Sequence, residues 1–259
     1  MSARPLALVT GGCRRLGAAI CVALADAGHD LAIHSSPDSA PEDGLGARIE
    51  AAGGAWHHVT ADLADAQAVA ALLPAVAAAA GRMPTLLVNN AARFGEDTPE
   101  TVTQTALIDH YAVNAVAPML LAQALAATAG ADAPRTIVNI LDQRIAAPHA
   151  DQFAYTLSKL ALAEATTILA RRFAPHVRVC GVAPGLTLPT ADYDEALMAK
   201  AARLMPLDRL AEPTEIADAV VFLAKARAIT GQVIFVDGGA HLCRYARDFL
   251  YLAGGQGSA

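Results

Sequence analysis

Short apolar runs alternate along the chain with longer stretches in which alanine and leucine recur at helical spacing. The runs LALV (6–9), DLAIH (30–34), WHHVTADL (56–63), TLLVNNA (85–91), RTIVNIL (135–141), VRVCGVAP (177–184) and QVIFVDGG (232–239) read as strands. Most are bounded by Gly, Pro, Asn or Asp, and most are apolar throughout, as in strands covered on both faces. Helical patterns fill the gaps at about 15–28, 42–52, 65–80, 100–128, 152–174 and 214–225. Seven strands separated by six helical stretches predict an α/β fold, a doubly wound parallel sheet with helices on both faces. No repeat, charge block or linker divides the chain, so residues 1–259 read as one domain. A loop-and-helix segment at 186–211 interrupts the alternation. The tail 241–259, HLCRYARDFLYLAGGQGSA, is expected either to dock at an interface or to fray.

Composition narrows the function. With 54% hydrophobic and 17% charged residues over 259 positions, the chain is globular rather than disordered. Its net charge of −6 gives no basic stripe for nucleic acid or anionic lipid, which leaves a small molecule as the expected partner. The most apolar stretch, around 112–129, is broken by Asn114, Pro118 and Gln123, short of the ~18 uninterrupted apolar residues of a membrane span. The start, MSARPLALVTGG, passes straight into a glycine-rich turn without the apolar core of a signal peptide, so a cytoplasmic protein is expected. Cys13, Cys21, Cys180 and Cys243 show no ligand spacing, and no metal site is predicted.

The turn TGGCRRLG (10–17) follows a predicted strand and opens a predicted helix, the setting of a phosphate-binding loop. Glycines admit a pyrophosphate close to the backbone, and the helix start offers N–H donors and partial positive charge. A turn of this kind is also common as plain structure. A dinucleotide fold usually places a carboxylate at the end of its second strand to bind the ribose of NAD. Here that strand ends in His34, Ser35 and Ser36, and Arg14 and Arg15 occupy the first turn, a set suited to the extra phosphate of NADP. Asp38 reaches the ribose only if the loop doubles back. In YTLSK (155–159), Tyr155 and Lys159 stand four apart and share a helix face. An ammonium near a phenol stabilises the phenolate and lowers its pKa, so the pair is equipped to trade a proton with a carbonyl or imine.

TGGCRRLG, Asp62-Leu63, NNAA (89–92), Asn114, YTLSK, APG (183–185) and VDGG (236–239) stand in an order and spacing that resembles the short-chain dehydrogenase/reductase family over roughly residues 5–240. The resemblance implies a Rossmann-type fold, a nicotinamide cofactor and hydride transfer. Tyr155 would be the proton donor, Lys159 would hold the nicotinamide ribose and lower the Tyr pKa, and Asn114 would support a proton-relay water. Gly11, Arg14, Arg15, Leu16, Gly17, Ala91, Pro184 and Gly185 would border the cofactor, with His34, Ser35 and Ser36 at its ribose phosphate. Asp62 and Leu63 would meet its adenine, and Asn90 its backbone. A homotetramer built on the helices at about 100–128 and 152–174 is also implied.

Three departures from the common pattern resemble the branch of pteridine and dihydromonapterin reductases. Arg15 replaces the middle glycine, Asp142 stands where a Ser is usual, and NNA continues as NNAARF, placing Phe94 at an aromatic position. That resemblance implies an NADPH-dependent reductase of dihydropterins with Arg15, Phe94, Asp142, Tyr155, Leu188 and Tyr193 around the substrate. A flat pterin would lie between the nicotinamide and Phe94, and an acid-capable Asp142 beside Tyr155 would supply or relay a proton to nitrogen. The pair is expected to share a proton and titrate as a unit. Two other readings stand beside this one: an NADP(H)-dependent reductase of another carbonyl or imine, and a non-catalytic NADP-binding sensor.

Overall fold

The computed structural model describes residues 4–189 and 194–254. Seven strands, β1 (Leu6–Val9), β2 (Asp30–Ser35), β3 (Trp56–Thr60), β4 (Leu86–Asn89), β5 (Arg135–Ile140), β6 (Val177–Pro184) and β7 (Val233–Val236), form one parallel sheet. Their order is β3-β2-β1-β4-β5-β6-β7, so the chain starts at the centre and winds outward in both directions. The strand order reverses between β1 and β4, and in such sheets the crevice at the carboxyl ends beside that reversal is where ligands bind.

Two apolar layers cover the sheet. On one face α1 (Arg15–Asp26), α2 (Leu45–Ala51) and α8 (Pro213–Lys225) pack through Ile20, Leu24, Ile49, Ile216 and Val220. On the other face α3 (Ala66–Ala80), α5 (Ala117–Ala126) and α6 (Phe153–Phe173) pack through Leu72, Val76, Leu121, Leu125 and Ala170. This burial on both sides is why β1 reads LALV with all four side chains buried. Caps fix the helix starts: Asp65 accepts from Gln67 N, Thr103 from Ala106 N, and Glu212 with Glu215 closes a reciprocal box on α8.

The predicted helix at 100–128 runs without a gap from Gln104 to Ala126 and contains a π turn. α4 (Gln104–Tyr111) leads into a π turn at Ala112–Val116, and α5 follows. Pro118 has no N–H for the carbonyl four residues back, that of Asn114, so the α ladder cannot run through unbroken. The segment at 186–211 contains α7 (Glu195–Ala202). The described part of the tail packs against its own chain. It carries α9 (Phe249–Ala253), and Phe249 and Tyr245 pack with Ala201 and Met205 of the same chain. Among the described residues no helix is long and apolar enough to cross a membrane, and no cluster of His, Cys, Asp and Glu is arranged to hold a metal.

A buried chain of hydrogen bonds ties α6 to the sheet. Asn89 Nδ2 donates to Asn139 Oδ1 at 2.8 Å, and Asn139 Nδ2 donates to the Thr166 hydroxyl at 2.9 Å. A buried donor stranded by loss of its partner costs about 1–3 kcal/mol. Thr166→Val, which preserves shape and removes the acceptor, is therefore expected to lower stability by about that amount in urea denaturation. A loss below about 0.5 kcal/mol would show that the chain of bonds does not anchor α6.

Candidate active site

The carboxyl ends of the central strands open into a cleft of about 610 Å³. Of the residues the resemblance assigns to catalysis, cofactor and substrate, all line it except Asn114 and Tyr193; Tyr193 lies outside the described residues. At one end the turn after β1 brings two backbones together. Gly11 adopts φ +60°, and a Cβ on Gly17 would stand 2.0 Å from the Gly11 carbonyl oxygen, so neither position has room for a side chain. Arg14 begins α1 without a side-chain cap of its own, and Arg15, Leu16 and Gly17 of the first turn line the cleft. Arg15 takes φ +56°, a left-handed conformation that a non-glycine residue adopts at a cost. Its N–H donates to Glu42 Oε2 at 3.2 Å, and its guanidinium donates to the Pro189 carbonyl at 3.0 Å.

His34 lines the cleft with both ring nitrogens occupied. Gly11 N–H donates to Nδ1 at 3.2 Å, which leaves Nε2 as the protonated nitrogen, donating to the Ala61 carbonyl at 3.1 Å. Burial lowers its pKa, and the neutral ring braces the glycine turn. The Ser35 hydroxyl is likewise engaged within its loop, with Ser39 O at 2.8 Å and His58 Nε2 at 2.9 Å. The accessible groups at the end of β2 are Ser36, Ser39 and Arg14. Asp38 is exposed and is not part of the cleft wall. Asp62 and Leu63 form the adjoining wall, and Asp62 Oδ1 accepts from Ala64 N at 2.9 Å. Asn90 Nδ2 donates to the carbonyls of Thr10 and Gly11, both at 3.0 Å, locking the loop after β4 onto the glycine turn.

At the other end Tyr155 donates its hydroxyl hydrogen to Asp142 Oδ2 at 2.9 Å, and Asp142 Oδ1 accepts from Arg144 N at 2.9 Å. Lys159 is buried on the same face of α6 and donates to the Ile140 carbonyl at 2.7 Å. Phe94 meets the Tyr155 ring edge to face, with centroids 4.9 Å apart, yet remains 55% exposed. Asn114 stands behind the cleft. Its Oδ1 accepts from Arg93 N at 2.7 Å, and its Nδ2 donates to Arg93 O and Ser158 Oγ, both at 2.9 Å. It thereby couples the Phe94 loop to the helix bearing Tyr155.

The electrostatics differ from the sequence expectation. Lys159 does not make Tyr155 more acidic in this arrangement: burial first, then the charge of Asp142, push the phenol well above its ordinary pKa, while Arg144 opposes them. Burial lowers Lys159 to about 8, with Asp142 pulling the other way. Sequence reasoning also missed part of the wall. Arg144, Gln152, Asp248 and Phe249 line the cleft, and Asp248 comes from the tail and pairs with Arg144. The one available signal was the aromatic and charged run RYARDFLY at 244–251, unusual for a frayed end.

Comparison with known proteins agrees with this arrangement. A family model described as enoyl-(acyl carrier protein) reductase matches residues 12–241. The structure of FolM alternative dihydrofolate reductase 1 from Brucella canis complexed with NADP is 38% identical with a TM-score of 0.83, covering 94% of this chain and 96% of that one. Pteridine reductase 1 of Leishmania tarentolae is 31% identical over 93% of this chain and 97% of its own. The 3-oxoacyl-[acyl-carrier-protein] reductase FabG of Staphylococcus aureus is 30% identical over 91% and 98%. The chain belongs to the short-chain dehydrogenase/reductase family of oxidoreductases.

Proposed function

We propose that the protein is an NADPH-dependent reductase of pteridines, acting on the C=N bond of 7,8-dihydropterin or dihydrofolate-type substrates. The observation that carries this reading is the Tyr155–Asp142 hydrogen bond beside the half-exposed ring of Phe94. Reduction of C=O and of C=N each takes up one proton at the heteroatom, and a carboxyl group held beside the tyrosine adds an acceptor for the N–H groups of a flat heterocycle, which a simple ketone lacks. The similarity to FolM and to pteridine reductase 1 supports the same reading.

The cofactor end suits NADPH. The close approach of Gly11 and Gly17 leaves backbone against a pyrophosphate, and the start of α1, beyond the Arg15 N–H taken by Glu42, offers it N–H donors. Arg14, Ser36 and Ser39 border the position of a ribose phosphate, and Asp38, the acidic residue nearest in sequence, stays outside the cleft. When bound, NADPH supplies the hydride.

The chain's own residues do the rest. Phe94 offers a ring face to a flat bicycle, and Asp62 and Leu63 close the far end. Tyr155 gives its hydroxyl proton to the substrate nitrogen. A phenolate left facing the Asp142 carboxylate 2.9 Å away is unfavourable, so the phenolic oxygen takes back a proton from solvent. Lys159 supplies a nearby positive charge during this transfer. The homotetramer implied by the family would bury Ile108 of α4, Val116, Leu120 of α5 and Ile168 of α6, which are exposed in the single chain.

The decisive assay follows NADPH absorbance with dihydrobiopterin, dihydrofolate and a panel of small ketones. Turnover of a dihydropterin is expected; turnover of ketones alone supports the carbonyl-reductase reading suggested by the FabG likeness, and no turnover at all the sensor reading. Tyr155→Phe is expected to lower kcat by about 100-fold or more while sparing NADPH affinity. Phe94→Ala is expected to raise the dihydropterin KM about fivefold, the worth of one stacking contact, and an unchanged KM would return Phe94 to a packing role. Because Lys159 loses its charge as pH rises through about 8, kcat/KM should decline through that range. Lys159→Arg, charged throughout, should move the decline upward, and a wild-type profile flat to about pH 10 would contradict the assignment.

A further inference from the structure

The turn after β5 carries a polar side chain that nothing else in the fold uses. Gln143 directly follows Asp142 and is only 7% exposed. Both residues line the cleft that holds Tyr155 and Phe94. Among the described residues, the Gln143 carboxamide has no hydrogen-bond partner. Other buried polar atoms also lack partners, Gln152 Oε1, His110 Nε2 and Asn89 Oδ1 among them, but those are sealed from solvent. The oxygen and nitrogen of Gln143 are not sealed, and the cleft is the space they open to.

The turn is held by bonds that leave this side chain out. Asp142 is extended and caps the turn, its Oδ1 accepting from Arg144 N at 2.9 Å. The Asp142 carbonyl accepts from Ile145 N and the Gln143 carbonyl from Ala146 N, both at 3.2 Å. On the strand side, Leu141 N donates to Val182 O and Lys159 Nζ to Ile140 O, both at 2.7 Å. Gln143 is thus fixed from both sides on the carboxyl edge of the sheet, a rigid place from which to present a polar group.

Stability does not account for the residue. A carboxamide buried without partners burdens the free protein, since contact with water is given up and nothing replaces it. Methionine, of similar length, would fill the same space without that burden. What glutamine brings is an acceptor and donors on one planar group, a set that pairs at two points with an edge carrying a donor beside an acceptor. The pyrimidine ring of a pterin carries such edges through its exocyclic amine, its oxo group and its ring nitrogens. A simple ketone offers an acceptor and no donor.

We propose that Gln143 is a specificity-determining residue whose carboxamide hydrogen-bonds, as acceptor and donor together, to the amide-like edge of a heterocycle bound against Phe94 and Tyr155. The proposal rests on the pteridine reading and adds to it a group that tells a pterin from a ketone. A site whose polar groups are paired only by the right ligand rejects one that leaves them unpaired. The two consecutive side chains divide the work: Asp142 is tied to the Tyr155 hydroxyl at 2.9 Å, and Gln143 is left for the ligand.

The test measures kcat and KM for dihydrobiopterin, NADPH affinity and stability in urea for the wild type, Gln143→Met and Gln143→Ala. Methionine preserves the volume and alanine leaves room for water, so a loss common to both variants reports the carboxamide and not the shape of the wall. In both, KM is expected to rise on the order of tenfold, the worth of one or two hydrogen bonds. The kcat is expected to stay within about threefold and NADPH affinity within about twofold. Without substrate, Gln143→Met is expected to be at least as stable as the wild type, because a buried group without partners has been removed. A glutamine kept for structure gives the opposite, a less stable Gln143→Met. That result, or a wild-type KM in either variant, overturns the assignment of Gln143 and leaves the pteridine reading intact as long as the wild type reduces dihydrobiopterin. A wild type that neither binds nor reduces any dihydropterin overturns both.

Discussion

A phenol and a carboxyl group held 2.9 Å apart inside a protein cannot both carry negative charge, and the surroundings of Tyr155 and Asp142 are arranged around that constraint. The phenol keeps its proton because burial and the neighbouring carboxyl group both disfavour the phenolate. Two cations flank the pair, Lys159 at 5.7 Å and Arg144 at 5.6 Å from the Tyr155 ring centroid. Each is held by a different part of the fold. Lys159 is held by the Ile140 carbonyl at the end of β5, and Arg144 by Asp248 from the chain's far end. The surroundings of the phenol therefore depend on strand, helix and tail being in register together.

That register comes from the sheet. Parallel strands end on one edge, so the loops after β1, β4, β5 and β6 converge there. The side chains that stabilise this edge are largely not those that face a ligand. Asn90 fastens the β4 loop to the glycine turn, His34 braces the same turn from β2, and Asn114 couples the Phe94 loop to α6. His34 shows how a residue at a cofactor-facing position in sequence can be spent on the backbone instead, because both of its ring nitrogens are taken.

The strands and the glycine turn were legible in sequence because their signals are local: unbroken apolar runs, glycines in a strand-to-helix turn, and a tyrosine and lysine one helical turn apart. What was not legible depends on distance or on competition between effects. The π turn inside the predicted helix at 100–128 precedes Pro118, which withholds an N–H from Asn114, a local cause hidden by the apolar pattern around it. The direction of the Tyr155 shift was misjudged because spacing places Lys159 on the right face without telling how far its ammonium lies from the phenol or how deeply both are buried. The tail contributes through Asp248, whose partner is 104 residues away, and no periodicity links QRI at 143–145 to RDF at 247–249.

Arg15 joins the two ends of the site in the same non-local way. A glycine would enter its left-handed conformation without cost, so the arginine is retained against a local preference. Its backbone N–H meets Glu42, and its guanidinium crosses the cleft to the carbonyl of Pro189 in the segment leading to α7. The strained turn therefore does two jobs: its backbone shapes the phosphate end, and its side chain grips the loop on the substrate side. Arg15 from the first turn and Asp248 from the last helix's cap thus hold the cleft from opposite ends of the chain. The cleft walls at 186–211 and at the tail thus lie on segments separate from the sheet edge and from α6, which carries Tyr155.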